Sequence, residues 1–169
     1  DELDARLDFN DLRVNRAAYL DRLDGLMYGD NPDQGIVRGR DFLHPVLRFA
    51  LQFPDGWEVI NTPTQMVARQ PGEEVYMVLQ LVTDPATRDL EQLAGDNMRE
   101  SGFRLDSGGD TRVGDLEAFI GTFTGESTDA GEPRARVAYI DYDGTVYILG
   151  GLTDGASYDR VESDFNTAI

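Results

Sequence analysis

Arg134-Ala-Arg-Val-Ala-Tyr-Ile-Asp-Tyr-Asp-Gly-Thr-Val-Tyr-Ile-Leu-Gly-Gly-Leu152 consists of two runs rich in apolar residues joined at Asp143-Gly144. An Asp-Gly pair supplies the two left-handed backbone positions that a tight hairpin turn needs, and the flanking β-branched and aromatic residues suit extended backbone. The pattern predicts antiparallel strands over 134–142 and 145–152. A hairpin this long needs further strands beside it and helices over its faces, so the rest of the chain is read for both.

On the C-terminal side, Tyr158, Val161, Phe165 and Ala168 recur at helical spacing within Ser157–Ala168. On the N-terminal side, Glu117–Thr124 alternates, with Ala118, Ile120 and Thr122 on one side and Phe119, Gly121 and Phe123 on the other. Residues 104–128 give two strands around Gly108-Gly109 and Val113-Gly114-Asp115, and Ser107-Gly108-Gly109-Asp110 reads as a hairpin tip. Asp84-Pro85 reads as the cap and first position of a helix whose buried side is Leu90, Leu93 and Met98, and Gly102 ends it. Val46–Phe53, Trp57–Asn61, Met66–Gln70 and Val75–Val82 are strand candidates, with turns at Pro54-Asp-Gly56 and Pro71-Gly72. Short turns join most of these strands. The expected class is α+β, a mainly antiparallel sheet with helices packed on it.

Residues 1–41 differ in character. Tyr19, Leu20, Leu23, Leu26 and Met27 form one helical stripe, and Gly29-Asp-Asn-Pro-Asp-Gln-Gly35 stops it. This stretch is expected to be a helical arm or connector, and residues 42–169 one domain. The chain starts at Asp1 with no initiator Met, basic n-region or apolar h-region. That start fits a mature processed form or a piece of something longer.

Composition narrows function mainly by exclusion. Of 169 residues, 32 are Asp or Glu and 15 are Lys or Arg, for a net charge of −17. All of those basic residues are arginine. A field this acidic repels phosphate backbones and anionic bilayers, which argues against nucleic acid and membrane-surface partners. No apolar run of about 18 residues is present to span a bilayer. With no Cys there is no disulfide, thiolate metal site or Cys nucleophile. A single His excludes a His-Glu-x-x-His zinc helix within this chain.

What remains is sparse. No nucleophile elbow, phosphate-cradling glycine loop or dinucleotide fingerprint occurs. Asp141-Tyr-Asp-Gly144 begins like a calcium loop, but its twelfth position is Leu152 rather than Glu. Carboxylate pairs such as Glu73/Glu74 and Asp141/Asp143 carry little specificity in so acidic a chain, so a small carboxylate hydrolase is the least favoured reading. His44 precedes Pro45, reads as extended, and is taken first as structural. Trp57 reads first as a core anchor. Arg38 and Arg40 flank Gly39, and their first reading is a salt bridge within the chain or to a neighbouring domain. These four, Arg38, Arg40, His44 and Trp57, are the candidate docking residues. No catalytic and no metal residue is assigned.

Leu23-Asp-Gly-Leu-Met-Tyr-Gly-Asp-Asn-Pro-Asp-Gln-Gly-Ile-Val-Arg-Gly-Arg-Asp-Phe-Leu-His-Pro45, then Phe49-Ala-Leu-Gln-Phe-Pro-Asp-Gly-Trp57 and Asn61-Thr-Pro63, resembles a known pattern. It is similar to the region after the peptidase domain in bacterial HtpX/Oma-like zinc metalloproteases (metallopeptidase family 48), especially the exported, periplasmic members. The Pro54-Asp-Gly-Trp57 opening and the closing Tyr/Phe helix also resemble PsbP-like sandwiches. Residues 23–63 carry the resemblance, and 64–169 add a compatible pattern. It implies a non-catalytic accessory domain in the periplasm whose partners are the upstream peptidase domain and envelope proteins. Zinc is then expected only upstream, with no cofactor in this chain, and no family catalytic residue has a matching position here. The alternative is a free-standing PsbP-like binding module of the cell envelope.

Overall fold

A computed structural model describes residues 36–44, 49–61, 65–82, 84–127 and 131–168. The helical stripe expected at 19–27 and the turn cluster at 29–35 lie outside them. Among the described residues, ten strands and two helices follow in order. They are β1 (Ile36–Arg38), β2 (Asp41–His44), β3 (Phe49–Gln52), β4 (Glu58–Asn61), β5 (Gln65–Arg69) and β6 (Val75–Val82), then α1 (Leu90–Glu100). After it come β7 (Phe103–Val113), β8 (Leu116–Gly125), β9 (Arg134–Tyr142), β10 (Thr145–Thr153) and α2 (Tyr158–Ala168).

β4-β5-β6-β10-β9-β8-β7 form one seven-stranded sheet and β1-β2-β3 a small second one. Every pairing is antiparallel. The hairpin read first from the sequence lies at the heart of the large sheet, because β10 is its middle strand. Asp143 and Gly144 both take positive φ, 49° and 85°, as a two-residue turn of this hand requires. The Asp141 carboxylate accepts the Gly144 N–H at 3.1 Å and fixes the turn.

The alternation along β10 serves two cores. Val146, Ile148 and Leu152 join one with Phe119, Phe123 and Val137, which α1 closes through Leu90, Leu93, Ala94 and Met98. Tyr147 and Leu149 join the other with Met66 and Met77, closed by Tyr158, Phe165 and Ala168 of α2 and by Phe42, Phe53 and Trp57. Both faces are therefore covered at the centre of the sheet, which explains why the middle strand is buried along nearly its whole length, while the edge strand β7 is largely exposed. The architecture is the expected α+β sandwich.

Two local readings need correction. The helix begins at Leu90 rather than after Asp84-Pro85. Asp89, extended at φ −75° and ψ 108°, is the cap and accepts the Gln92 N–H at 2.9 Å; its carboxylate can reach an amide of the first turn, which Asp84 lies too far upstream to do. Ser107-Gly108-Gly109-Asp110 is not a hairpin tip but the middle of β7, paired along β8, and the turn falls at Gly114-Asp115. Of the strand expected over 46–53, positions 46–48 lie outside the described residues and Phe49–Gln52 form β3. Ile36–Arg38 and Asp41 pair through the β1–β2 hairpin, and residues 1–35 of the expected arm lie outside the described residues.

Candidate functional site

Arg38, Gly39 and Arg40 make the tight link between β1 and β2, with Gly39 at φ 63°. There Arg40 turns toward Pro54-Asp-Gly56, the loop leading to Trp57. Its guanidinium meets the Asp55 carboxylate at 2.8 Å, and its carbonyl accepts the Phe53 N–H at 2.9 Å. The ion pair is exposed, with 43% and 91% of the two side chains open to solvent, so it registers the loop more than it stabilises it. Arg38 is exposed at the same corner. Trp57 is 8% exposed and packs in the core under α2. His44 ends β2 opposite Phe49. The structure thus joins Arg40 to the Trp57 loop, while Trp57 presents little surface of its own.

Among the described residues, no group of three or more His, Cys, Asp or Glu is arranged to hold a metal ion. No helix among them is long and apolar enough to cross a membrane. Surface charges are largely used in pairs. Arg40, Arg69, Arg88, Arg99, Arg104 and Arg160 each reach a carboxylate. Arg160, in the first turn of α2, bonds Glu73 in the β5–β6 turn. That hydrogen bond holds the Glu73 carboxyl below its ordinary value, against a smaller opposing effect of burial.

A second cluster escaped the sequence reading. Arg134 and Arg136 project from one face of β9, opposite Thr124 and Thr122 of β8. The Arg134 guanidinium lies 4.1 Å from the centre of the Tyr158 ring, a cation–π distance. Arg136 donates to the Thr122 hydroxyl at 3.2 Å, and that hydroxyl faces the Tyr158 hydroxyl at 3.5 Å in a buried setting. The signal was present in the sequence: Arg134-Ala-Arg136, entering a strand, puts two cations on a face that is apolar further along.

No family model matches this sequence, and no curated protein does. Solved structures do resemble it. Cyanobacterial PsbP (CyanoP) from Synechocystis sp. PCC 6803 is 14% identical with a TM-score of 0.63, over 83% of this chain and 95% of that one. LpqN of Mycobacterium tuberculosis, described as involved in cell envelope biogenesis, is 19% identical with a TM-score of 0.54, over 70% and 78%. At such identities the likeness speaks of architecture alone, and the chain has the PsbP-like sandwich fold.

Proposed function

We propose that this chain is a non-catalytic PsbP-like module acting outside the cytoplasm, where it docks partners as an adaptor. The observation that carries this reading is the extent of the match: nearly all of CyanoP, 95%, is covered by 83% of this chain. The chain thus holds a whole sandwich of that type, with a dry core on each face of the sheet. On this reading the module meets partners with its rim and loops. The description of LpqN as a protein of cell envelope biogenesis supports an extracytoplasmic setting. The Arg38-Gly-Arg40 corner is the proposed docking point, with His44 following at the end of β2.

A second reading rests on residues 23–63, which resemble the segment following the catalytic unit in exported zinc metalloproteases. In it the module is an accessory domain that positions substrate for, or restrains, a peptidase on the same polypeptide. One experiment bears on both. The complete reading frame is expressed with a tag and fractionated, and the present chain is assayed alone for casein hydrolysis and bound zinc. Export together with an inert, zinc-free chain supports the module. An in-frame upstream His-Glu-x-x-His selects the peptidase-linked form. Hydrolysis with stoichiometric zinc in this chain overturns both.

A further inference from the structure

The arginine pair on β9 is held in place by neutral groups among the described residues. Strand alternation sets Arg134 and Arg136 two residues apart, on the face that α2 covers only in part. Across the ladder, Arg134 stands opposite Thr124 and Thr153, and Arg136 opposite Thr122 and Gly151. Hydroxyls and a glycine surround the two cations, with no carboxylate directly opposite. Both side chains are half-buried, and the Nε of Arg136 is buried with no hydrogen-bond partner.

Two carboxylates next to the flanking threonines, those of Asp106 and Asp154, are engaged elsewhere. Asp106, at the bulge of β7, accepts from the Thr124 hydroxyl at 2.5 Å and from Arg104 at 3.3 Å. Asp154 accepts the Ser157 N–H at 3.0 Å and the Thr153 hydroxyl at 3.3 Å. Among the described residues, neither Arg134 nor Arg136 forms an ion pair. In a chain with 32 acidic residues a counter-ion is easy to supply, yet among the described residues none pairs with these two half-buried cations. A partly desolvated charge without an opposite charge works against folding. Its retention is explained if the counter-ion comes from outside.

We infer that Arg134 and Arg136 form a binding site for a doubly charged oxyanion such as a phosphoryl group. Two guanidinium groups match two negative charges, and forked N–H donors suit phosphate oxygens. Tyr158 holds Arg134 from α2 and Thr122 holds Arg136 from β8, so the donors are positioned before the ligand arrives. The charge of −17 repels anions at long range, so binding depends on short-range bonds and discriminates by charge and shape. This site stands apart from the Arg38-Gly-Arg40 corner and does not depend on the adaptor reading.

The test is titration of inorganic phosphate into the whole chain at fixed ionic strength, following arginine Nε–Hε signals by NMR. Two side-chain signals are expected to shift and saturate, and acetate is expected to bind at least tenfold more weakly. Arg136→Met is expected to abolish the saturable shift while leaving the phosphate-free melting temperature unchanged or higher, because it removes an unpaired charge. Arg112→Met, near the end of β7, is expected to keep the phosphate response. Should Arg136→Met not fold, Arg134→Gln is read in the same way. Absence of saturation in the unaltered chain overturns the site, as does a phosphate response that survives both substitutions. Acetate binding as tightly as phosphate overturns the doubly charged ligand.

Discussion

The Phe165 ring of α2 occupies the space above Gly151 of β10 where any other residue would carry its Cβ. The absent side chain lets α2 settle close on the middle strand, and it seals the second core. Phe165 is 1% exposed. Gly151→Ala is therefore expected to displace the ring and lower stability by about 1–3 kcal/mol, the usual cost of overpacking. Urea denaturation followed by far-UV circular dichroism measures it. Combined with Phe165→Leu, which shrinks the obstructing group, the loss should be smaller than the sum of the two single losses. An unchanged midpoint for Gly151→Ala would refute this account of the seat of α2.

Gly108 and Gly109 are adjacent in sequence and opposite in consequence. A Cβ on Gly108 would lie 2.6 Å from the Phe119 ring and 3.0 Å from the Ile120 carbonyl, whereas one on Gly109 meets nothing within 4 Å. Gly108→Ala should destabilise by about 1–3 kcal/mol. Gly109→Ala should be neutral or raise stability by up to about 1 kcal/mol, because the unfolded chain loses freedom. Thermal melts of the two variants decide it. If Ser107-Gly108-Gly109-Asp110 were a hairpin tip, neither alanine would meet a Phe ring.

That pair also shows where sequence legibility ends. Asp143-Gly144 is decipherable because the turn demands left-handed backbone at two neighbouring residues, and few dipeptides supply it. Gly108-Gly109 looks equally turn-like, but its glycine is required by a ring from the next strand, and only pairing reveals that. Likewise Asp84-Pro85 and Asp89 are both plausible caps. Asp89 prevails because Leu90, Leu93 and Met98 must fall on the core side of α1. Trp57 was recognisable as an anchor from its turn and composition. Arg134 and Arg136 are visible in the sequence only as two cations entering a strand, because their meaning comes from Thr122 on β8 and Tyr158 on α2, which the sequence does not place beside them.

The bond between Glu73 and Arg160 fastens the β5–β6 turn to the start of α2 and gives an acid-dependent contribution to stability. Because the hydrogen bond from Arg160 lowers the folded-state pKa of Glu73 from its ordinary 4.5, the folded state binds this proton less readily than the unfolded one. The contribution is complete above the unfolded value and lost as pH falls through the depressed folded one. Both side chains are partly exposed, so the effect is modest. Arg160→Gln should therefore lower the urea midpoint near neutral pH, and the difference from the unaltered chain should shrink toward zero in strong acid. A difference that grows on acidification would contradict this linkage.

Tyr139 is fully buried beneath α1, and its hydroxyl lacks a hydrogen bond of normal geometry although Asn97 stands near it. Burial pushes its ionisation well above the ordinary tyrosine value. A buried hydroxyl without a partner costs about 1–3 kcal/mol of desolvation, so Tyr139→Phe should leave stability unchanged or raise it. Urea midpoints test this, and a clear loss would show that the hydroxyl is satisfied in solution.

Trp57 and Arg40 meet at one loop and separate folding from docking. Trp57 is the chain's single tryptophan and packs in the core with Phe42 and Phe53. Truncation to alanine should cost about 3–5 kcal/mol, measured by circular dichroism because the variant lacks its fluorophore. Arg40→Gln breaks only the exposed bond to Asp55, so the loss should stay below about 1 kcal/mol, with Trp57 fluorescence in the folded state unchanged. A partner that uses the Arg38-Gly-Arg40 corner should then bind Arg40→Gln more weakly at undiminished fold. A large fall in stability for Arg40→Gln would instead make this arginine part of the scaffold and remove it as a docking residue.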